Sequence, residues 1–234
     1  MTTTQRGRLI GTGMIGKAFL ASKAVREGGS CIFASGIANS ACTEAAQFER
    51  ERVLLTKSLD EHDAGAFVYF GTCAADVPGH ETSDYVRHKV AMEGLILAHP
   101  AGHVARLPQV AGPDASPYTL LSALCARIKA RQPIVIRERA TRNIIDVADV
   151  VTLVDAWLEL PSRVRLINIA STHSYPVASI VDTIESVLGI ESVRTTEASG
   201  EPYEVDTSAI APLIAELGIE FDRDYLARVV ARYY

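Results

Sequence analysis

The stretch Leu9-Ile10-Gly11-Thr12-Gly13-Met14-Ile15-Gly16 decides the fold. A short apolar run ends at a glycine, and glycines in G-x-G-x-x-G spacing lead into residues of helical period. Gly11 permits a tight turn, Gly13 lets backbone approach a pyrophosphate, and Gly16 lets the helix pack closely on the strand. A phosphate would rest on the free N–H groups where the helix opens, at Met14 and Ile15. No lysine follows in the G-x-x-x-x-G-K-[ST] arrangement, which disfavours a nucleotide triphosphatase. The acid expected about 20 residues on, where it would grip ribose hydroxyls, is missing. That position falls in Phe33-Ala34-Ser35-Gly36. Either Ser35 lies near a 2′-phosphate and the site prefers NADP, or this strand is not the second strand of the fold. Spacing favours the second explanation.

Outward from the loop, strand-sized apolar runs alternate with longer stretches of helical period. Strands are expected near 8–11, 31–34, 67–70, 104–107, 134–136 and 166–169. Helices are expected near 15–27, 43–59, 83–97, 118–130, 147–158 and 177–188. The strands are nearly all apolar, as expected when both faces of a parallel sheet are covered. The fold class is therefore α/β, a Rossmann-like doubly wound parallel sheet. Residues 1–165 are expected to form the dinucleotide-binding part, which the resemblance given below makes the catalytic part as well, and 166–234 a late strand and small C-terminal substrate lobe within one unit. Residues 197–202 read as a loop.

Composition narrows the partners. The chain has 234 residues, 48% hydrophobic and 22% charged, enough to bury a full core without covalent staples. Cys31, Cys42, Cys73 and Cys125 are scattered and form neither a disulfide framework nor a zinc-ligand pattern, so reduced thiols in the cytoplasm and no metal are expected. A net charge of −5 without a basic stripe argues against nucleic acid. No apolar run approaches the roughly 20 residues of a membrane span.

The run Phe67-Val68-Tyr69-Phe70-Gly71-Thr72 reads as a buried strand ending in a hydroxyl. Tyr85-Val86-Arg87-His88-Lys89 follows, and its spacing puts Tyr85 and Lys89 on one helical face. A tyrosine serves as acid or base near neutral pH only where its phenolate is stabilised, and an ammonium one turn away can do that. Thr72 could bind the same substrate oxygen. His88 reads as a solvated or packing residue, Trp157 as core, and Glu49-Arg50-Glu51-Arg52 as a solvated helix face.

In this order, these motifs resemble the extended short-chain dehydrogenase/reductase family, in its NAD(P)-dependent sugar-nucleotide epimerase/dehydratase branch. Residues 32–36 resemble its fourth strand, Phe67–Thr72 its fifth, and Tyr85–Glu93 its catalytic helix. The stretch Arg106-Leu107-Pro108-Gln109-Val110-Ala111-Gly112-Pro113 is similar to its R-x-x-N-V-x-G-P turn, which touches nicotinamide and substrate. Arg142-Asn143-Ile144-Ile145-Asp146-Val147-Ala148-Asp149-Val150 resembles the segment whose arginine meets the nucleotide diphosphate. Ile167-Asn168-Ile169-Ala170, Asp206-Thr207-Ser208 and Leu217-Gly218 resemble the late strand and closing lobe. The resemblance implies Thr72, Tyr85 and Lys89 as catalytic residues and NAD or NADP as cofactor. Gly11, Gly13, Met14, Ile15, Gly16, Ala34, Ser35, Gly36, Tyr85, Lys89 and Pro108 would bind the cofactor, and Thr72, Gln109 and Arg142 a nucleotide sugar. It also implies a homodimer through the helices at 43–59 and 83–97.

Departures accompany the likeness. Gln109 replaces the family's Asn, Asn143 its Asp, and Ile10 the first of its three glycines. Only 61 positions separate Gly11 from Thr72, whereas a βαβ unit takes roughly 30 residues. One intervening strand fits, so the family's second and third strands, and with them the ribose-binding acid, are expected to be missing. Cys73 and Ala74 stand where a dehydratase carries its extra acid, so an epimerase or ketoreductase, of the kind used in polysaccharide biosynthesis, is preferred. A non-catalytic dinucleotide- or nucleotide-sugar-binding module with a degenerate adenosine pocket is the alternative.

Overall fold

All six residues of Phe67–Thr72 are buried, which requires cover on both faces of their sheet. The computed structural model describes residues 7–63, 65–161 and 164–234. Along the chain run β1 (Arg8–Ile10), α1 (Met14–Phe19), α2 (Lys23–Arg26), β2 (Cys31–Phe33), α3 (Ala45–Asp60), β3 (Phe67–Thr72), α4 (Asp84–Ala98) and β4 (Gly102–Leu107). There follow β5 (Gln109–Ala111), α5 (Leu120–Lys129), β6 (Ile134–Arg137), β7 (Thr141–Asp146), α6 (Val147–Glu159) and β8 (Leu166–Asn168). Last come β9 (Ser174–Pro176), α7 (Val177–Leu188), β10 (Arg194–Glu197), α8 (Ala211–Glu216) and α9 (Tyr225–Tyr233).

The central sheet has the order β1-β2-β3-β4-β8, with every neighbouring pair parallel. Only β2 intervenes between the glycine-loop strand and β3, as the spacing requires, and β1 is consequently an edge strand. Side chains alternate across the sheet. Ile32, Val68, Phe70 and Ala105 share a core with Phe19 of α1 and with Val150, Leu153, Val154 and Trp157 of α6. Cys31, Phe33, Phe67 and Tyr69 pack on the other face against Leu55 and Leu59 of α3 and Met92 and Ile96 of α4. The β1-to-β2 connection thus passes over one face, while β2-to-β3 and β3-to-β4 pass over the other. All three step across the sheet in the same direction, so the first connection has the opposite hand to the next two.

The helix expected over 15–27 is broken in two. The Ser22 hydroxyl accepts the Val25 N–H at 3.3 Å, and the Asp155 carboxylate on α6 accepts the N–H groups of Lys23 and Ala24 at 2.8 and 3.0 Å. These acceptors satisfy the donors of a new helix start and favour a restart over a continuous helix.

The expected strand at 134–136 lies outside the central sheet: β6 pairs with β10, and a separate sheet runs β5-β7-β9. The C-terminal helix α9 is held at the start of α6. Asp146 accepts bonds from Arg232 Nη1 at 2.9 Å and the Tyr233 hydroxyl at 2.7 Å, and the Tyr225 hydroxyl donates to Asp149 at 2.6 Å. Trp157 is core, 2% exposed. The four cysteines are buried and unpaired. Among the described residues, no helix is long and apolar enough to cross a membrane, and no group of three or more His, Cys, Asp or Glu could hold a metal ion.

Candidate active site

The strand ends open on a cleft of about 580 Å³. Gly13, Met14 and Ile15 line it from the start of α1, Ala34 and Gly36 from the loop after β2, and Thr72 from the end of β3. Tyr85 and Lys89 reach it from α4, Pro108 and Gln109 from the segment after β4, and Arg142 from β7. The topology therefore brings most of the residues singled out in the sequence to one cavity. Gly11, Gly16 and Ser35 are not among its lining residues. Gly11 has φ +126° and lies so close to β2 that a Cβ would meet the Ala34 carbonyl oxygen at 2.3 Å. A Cβ on Gly16 would meet the Gly11 carbonyl oxygen at 2.4 Å. These two glycines set the closeness of strand, loop and helix. Gly13, where a Cβ would meet nothing within 4 Å, faces open space. The Ser35 carbonyl accepts a bond from Arg50 Nη2 at 3.3 Å.

Lys89 is 3% exposed. Its ammonium donates to Glu51 Oε1 at 3.1 Å, the Tyr69 hydroxyl at 3.0 Å and the Phe70 carbonyl at 3.3 Å. Three partners match the three hydrogens of an ammonium group. Burial lowers the Lys89 pKa, and the charge of Glu51 and its bond work against that fall.

Glu51 corrects the reading of residues 49–52 as a solvated face: it is 0% exposed. Oε1 also accepts the Tyr69 hydroxyl at 2.6 Å, and Oε2 accepts the Ile37 N–H at 2.7 Å. His88 Nε2 stands 3.3 Å from Oε2, off the line of a hydrogen bond, with its ring stacked on Phe48 at 4.6 Å between centroids. Burial alone would raise the Glu51 carboxyl, but His88, Lys89, Tyr69 and the Ile37 amide together hold it down to about 2. A sequence signal was present: Glu51, Leu55 and Leu59 fall one turn apart, so Glu51 continues the apolar stripe of α3.

Tyr85 stands beside this cluster, with Lys89 Nζ 5.9 Å from its ring centroid. Burial pushes its phenol well above the ordinary tyrosine range, the Glu51 charge adds to the rise, and the Thr72 hydroxyl opposes it. Burial is the largest cause of this rise, and the Lys89 ammonium expected to steady the phenolate is engaged instead with Glu51, Tyr69 and the Phe70 carbonyl.

Arg106 is not among the residues that line the cleft. Its Nε and Nη2 form a two-pronged pair with Glu93 at 3.0 and 2.7 Å, and Nη1 binds Asp76. Asn143 is 1% exposed. Its amide donates to the Ser171 and His173 carbonyls at 2.8 and 3.1 Å, which makes it a brace between β7 and that loop. Arg142 differs. Among the described residues no carboxylate lies within ion-pair distance of its guanidinium, and burial lowers its pKa. Arg137, His80 and Tyr203 join Arg142 around a smaller adjoining pocket of about 130 Å³. Among the lining residues of the main cleft the one carboxylate is Asp114, paired with Lys17 at 2.8 Å.

Known proteins share the fold that carries this cleft. Curated proteins give no match. Among solved structures, the UDP-glucose 4-epimerase of Thermus thermophilus, in complex with NAD, aligns with a TM-score of 0.70 at 14% identity, over 94% of this chain and 80% of that one. Bacillus cereus UDP-glucuronic acid 4-epimerase, in complex with UDP-glucuronic acid and NAD, aligns with a TM-score of 0.68 at 16% identity, over 86% of this chain and 72% of that one. RMD from Pseudomonas aeruginosa, complexed with NADPH, gives 0.66 at 18% identity, over 87% and 80%. At such identities these likenesses concern the fold. The sequence itself matches the family model described as the NAD dependent epimerase/dehydratase family over residues 51–170, more than half of its length, and the chain belongs to that family.

Proposed function

We propose that the protein is an NAD(P)-dependent oxidoreductase or epimerase acting on a nucleotide-linked sugar, with hydride transfer at a sugar carbinol or ketone carbon and Tyr85 as acid/base. The observation that carries this reading is the single cleft shared by Thr72, Tyr85, Lys89, Gly13 and Arg142. The open face of Gly13 leaves room for a phosphate group, so the residues present fit the phosphate and nicotinamide end of a dinucleotide. Gly13, Met14, Ile15, Ala34 and Pro108 would hold it. When bound, the nicotinamide supplies the hydride acceptor or donor.

The remaining chemistry belongs to the chain. Tyr85, with its high pKa, is protonated at neutral pH and so begins as a general acid toward a ketone oxygen. For Tyr85 to act as base on a carbinol, the Lys89 charge must be turned toward it. Lys89 would exchange one of its three present bonds for a ribose hydroxyl, and the Phe70 carbonyl offers the longest of them, at 3.3 Å. Thr72 would orient the sugar oxygen. Arg142, free of any carboxylate, would take the diphosphate through charge-assisted bonds. A Thr72 neighbourhood without an added acid favours epimerisation or ketone reduction over dehydration. The exposed apolar side chains Val53 on α3 and Val90 and Leu95 on α4 support a homodimer through these helices.

The test is a fluorescence titration with NADH and NADPH, repeated in the presence of UDP. Saturable binding of one reduced dinucleotide, strengthened or left intact by UDP, is expected. Absence of binding at millimolar concentration overturns the enzyme reading.

A further inference from the structure

Glu51 takes no part in the chemistry set out above, yet it is the member of residues 49–52 that the fold removes from water. Burying an ionised carboxylate costs several kcal/mol unless it is paired and hydrogen-bonded. Packing does not require a carboxylate there, since Leu55 and Leu59 fill the next two turns of the same stripe. What Glu51 adds is a fixed charge held from three directions: by Tyr69 on β3, by the Ile37 amide after β2, and by Lys89 with His88 nearby on α4. The fold makes room for this contact. A Cβ on Gly36 would lie 2.6 Å from Lys89 Nζ and 3.0 Å from Glu51 Oε1.

We propose that Glu51 is the positioning residue of the Tyr85/Lys89 pair, clamping the Lys89 ammonium against β3 and fixing the charge that the pair carries. This assignment rests on the acid/base reading of Tyr85 and Lys89. With Glu51 ionised, the Tyr85-Lys89-Glu51 group is neutral when both Tyr85 and Lys89 hold their protons. The other charge that bears on both members of the pair is Glu93, and Arg106 already binds it. Cys73 beside Tyr85 and Tyr69 beside Lys89 are neutral hydrogen-bearing groups whose pKa values are pushed up by burial. Removing the Glu51 charge therefore leaves an excess positive charge on the pair and makes its first proton easier to lose.

The experiment is a pH titration followed by NMR, with ¹³C placed at tyrosine Cζ and lysine Cε and the signals assigned through Tyr85→Phe and Lys89→Arg. In Glu51→Gln, which keeps the shape, one of the two groups should lose its proton at least about one pH unit lower than in the wild type. Glu51→Asp, which keeps the charge, should restore most of the original titration. A folded Glu51→Gln protein in which both signals titrate as in the wild type overturns the proposal. Should that variant not fold, the Glu51 carboxyl carbon of the wild type decides: it should stay ionised throughout pH 4 to 9, and titration in the ordinary carboxylate range overturns the proposal. No cofactor enters either measurement, so a failure here with intact NADH binding removes Glu51 alone, and a failure of NADH binding leaves this result standing.

Discussion

Gly36 and Lys89 exclude a side chain between them, because the position of a Cβ on Gly36 is 2.6 Å from Lys89 Nζ. Gly36 was expected to serve a cofactor directly. It lines the cleft, but its small size is needed first by the ion pair behind it. Gly36→Ala should fold, since the group in its way is the end of a flexible chain, while turnover of a UDP-hexose with NAD(P) falls about tenfold through a displaced Lys89. Wild-type turnover in Gly36→Ala would show that the close approach is dispensable.

Tyr85→Phe removes a hydroxyl without emptying its site. Turnover should fall by about 100-fold or more, with Tm changed by less than about 4 °C. Rate and melting measurements on the same preparation check both parts, and retained turnover takes the acid/base role away from Tyr85.

Arg142 has no carboxylate to release before it binds an anion. Arg142→Ala should weaken UDP binding about tenfold or more, the worth of one charge-assisted hydrogen bond, and leave NADH binding unchanged. Parallel titrations with the two ligands would separate this from a general loss of structure, which lowers both.

Arg106 and Glu93 tie β4 to α4, with side chains 11% and 3% exposed. Arg106→Ala strands a buried carboxylate, and a loss of about 3 to 5 kcal/mol in urea unfolding is expected. A loss below about 1 kcal/mol would mean that solvent already reaches the pair.

The Glu51 carboxyl is depressed to about 2 in the folded chain, against 4.5 for the free group. A depressed carboxylate contributes stability that is complete above its unfolded pKa and is lost as pH falls through the folded value. Between pH 4.5 and 2 the chain should therefore lose about 3 kcal/mol from this group. Denaturant unfolding at stepped pH should show a flatter acid limb in Glu51→Gln. An unchanged slope would place the acid sensitivity elsewhere.

Local pattern made the scaffold readable. The apolar run before Gly11, the strand ending at Thr72 and the spacing of Tyr85 and Lys89 each express a periodicity that survives folding, and the distance from Gly11 to Thr72 revealed the missing strands. The break after Phe19 was hidden in part, because two of the three donors that start α2 are met not by the local Ser22 but by Asp155, more than a hundred residues away. Glu51 was legible in part: it continues the stripe of Leu55 and Leu59 while its neighbours Glu49, Arg50 and Arg52 are exposed, but the partners that hold its charge, Tyr69 and Lys89, lie elsewhere in the chain. Asn143 and Arg106 likewise show their roles only through partners distant in sequence.

The opposite hand of the first crossover gives the trimmed sheet its cleft. After β1 the chain departs toward the α6 side, and after β2 toward the α4 side, so the two loops diverge and leave a gap above the strand ends. Had the first connection shared the hand of its successors, α1 would have stood beside α3 and shut that gap. An open α/β sheet ordinarily obtains this divergence where its strand order reverses; here the edge strand β1 achieves it by a change of side alone, with the strand order running one way throughout.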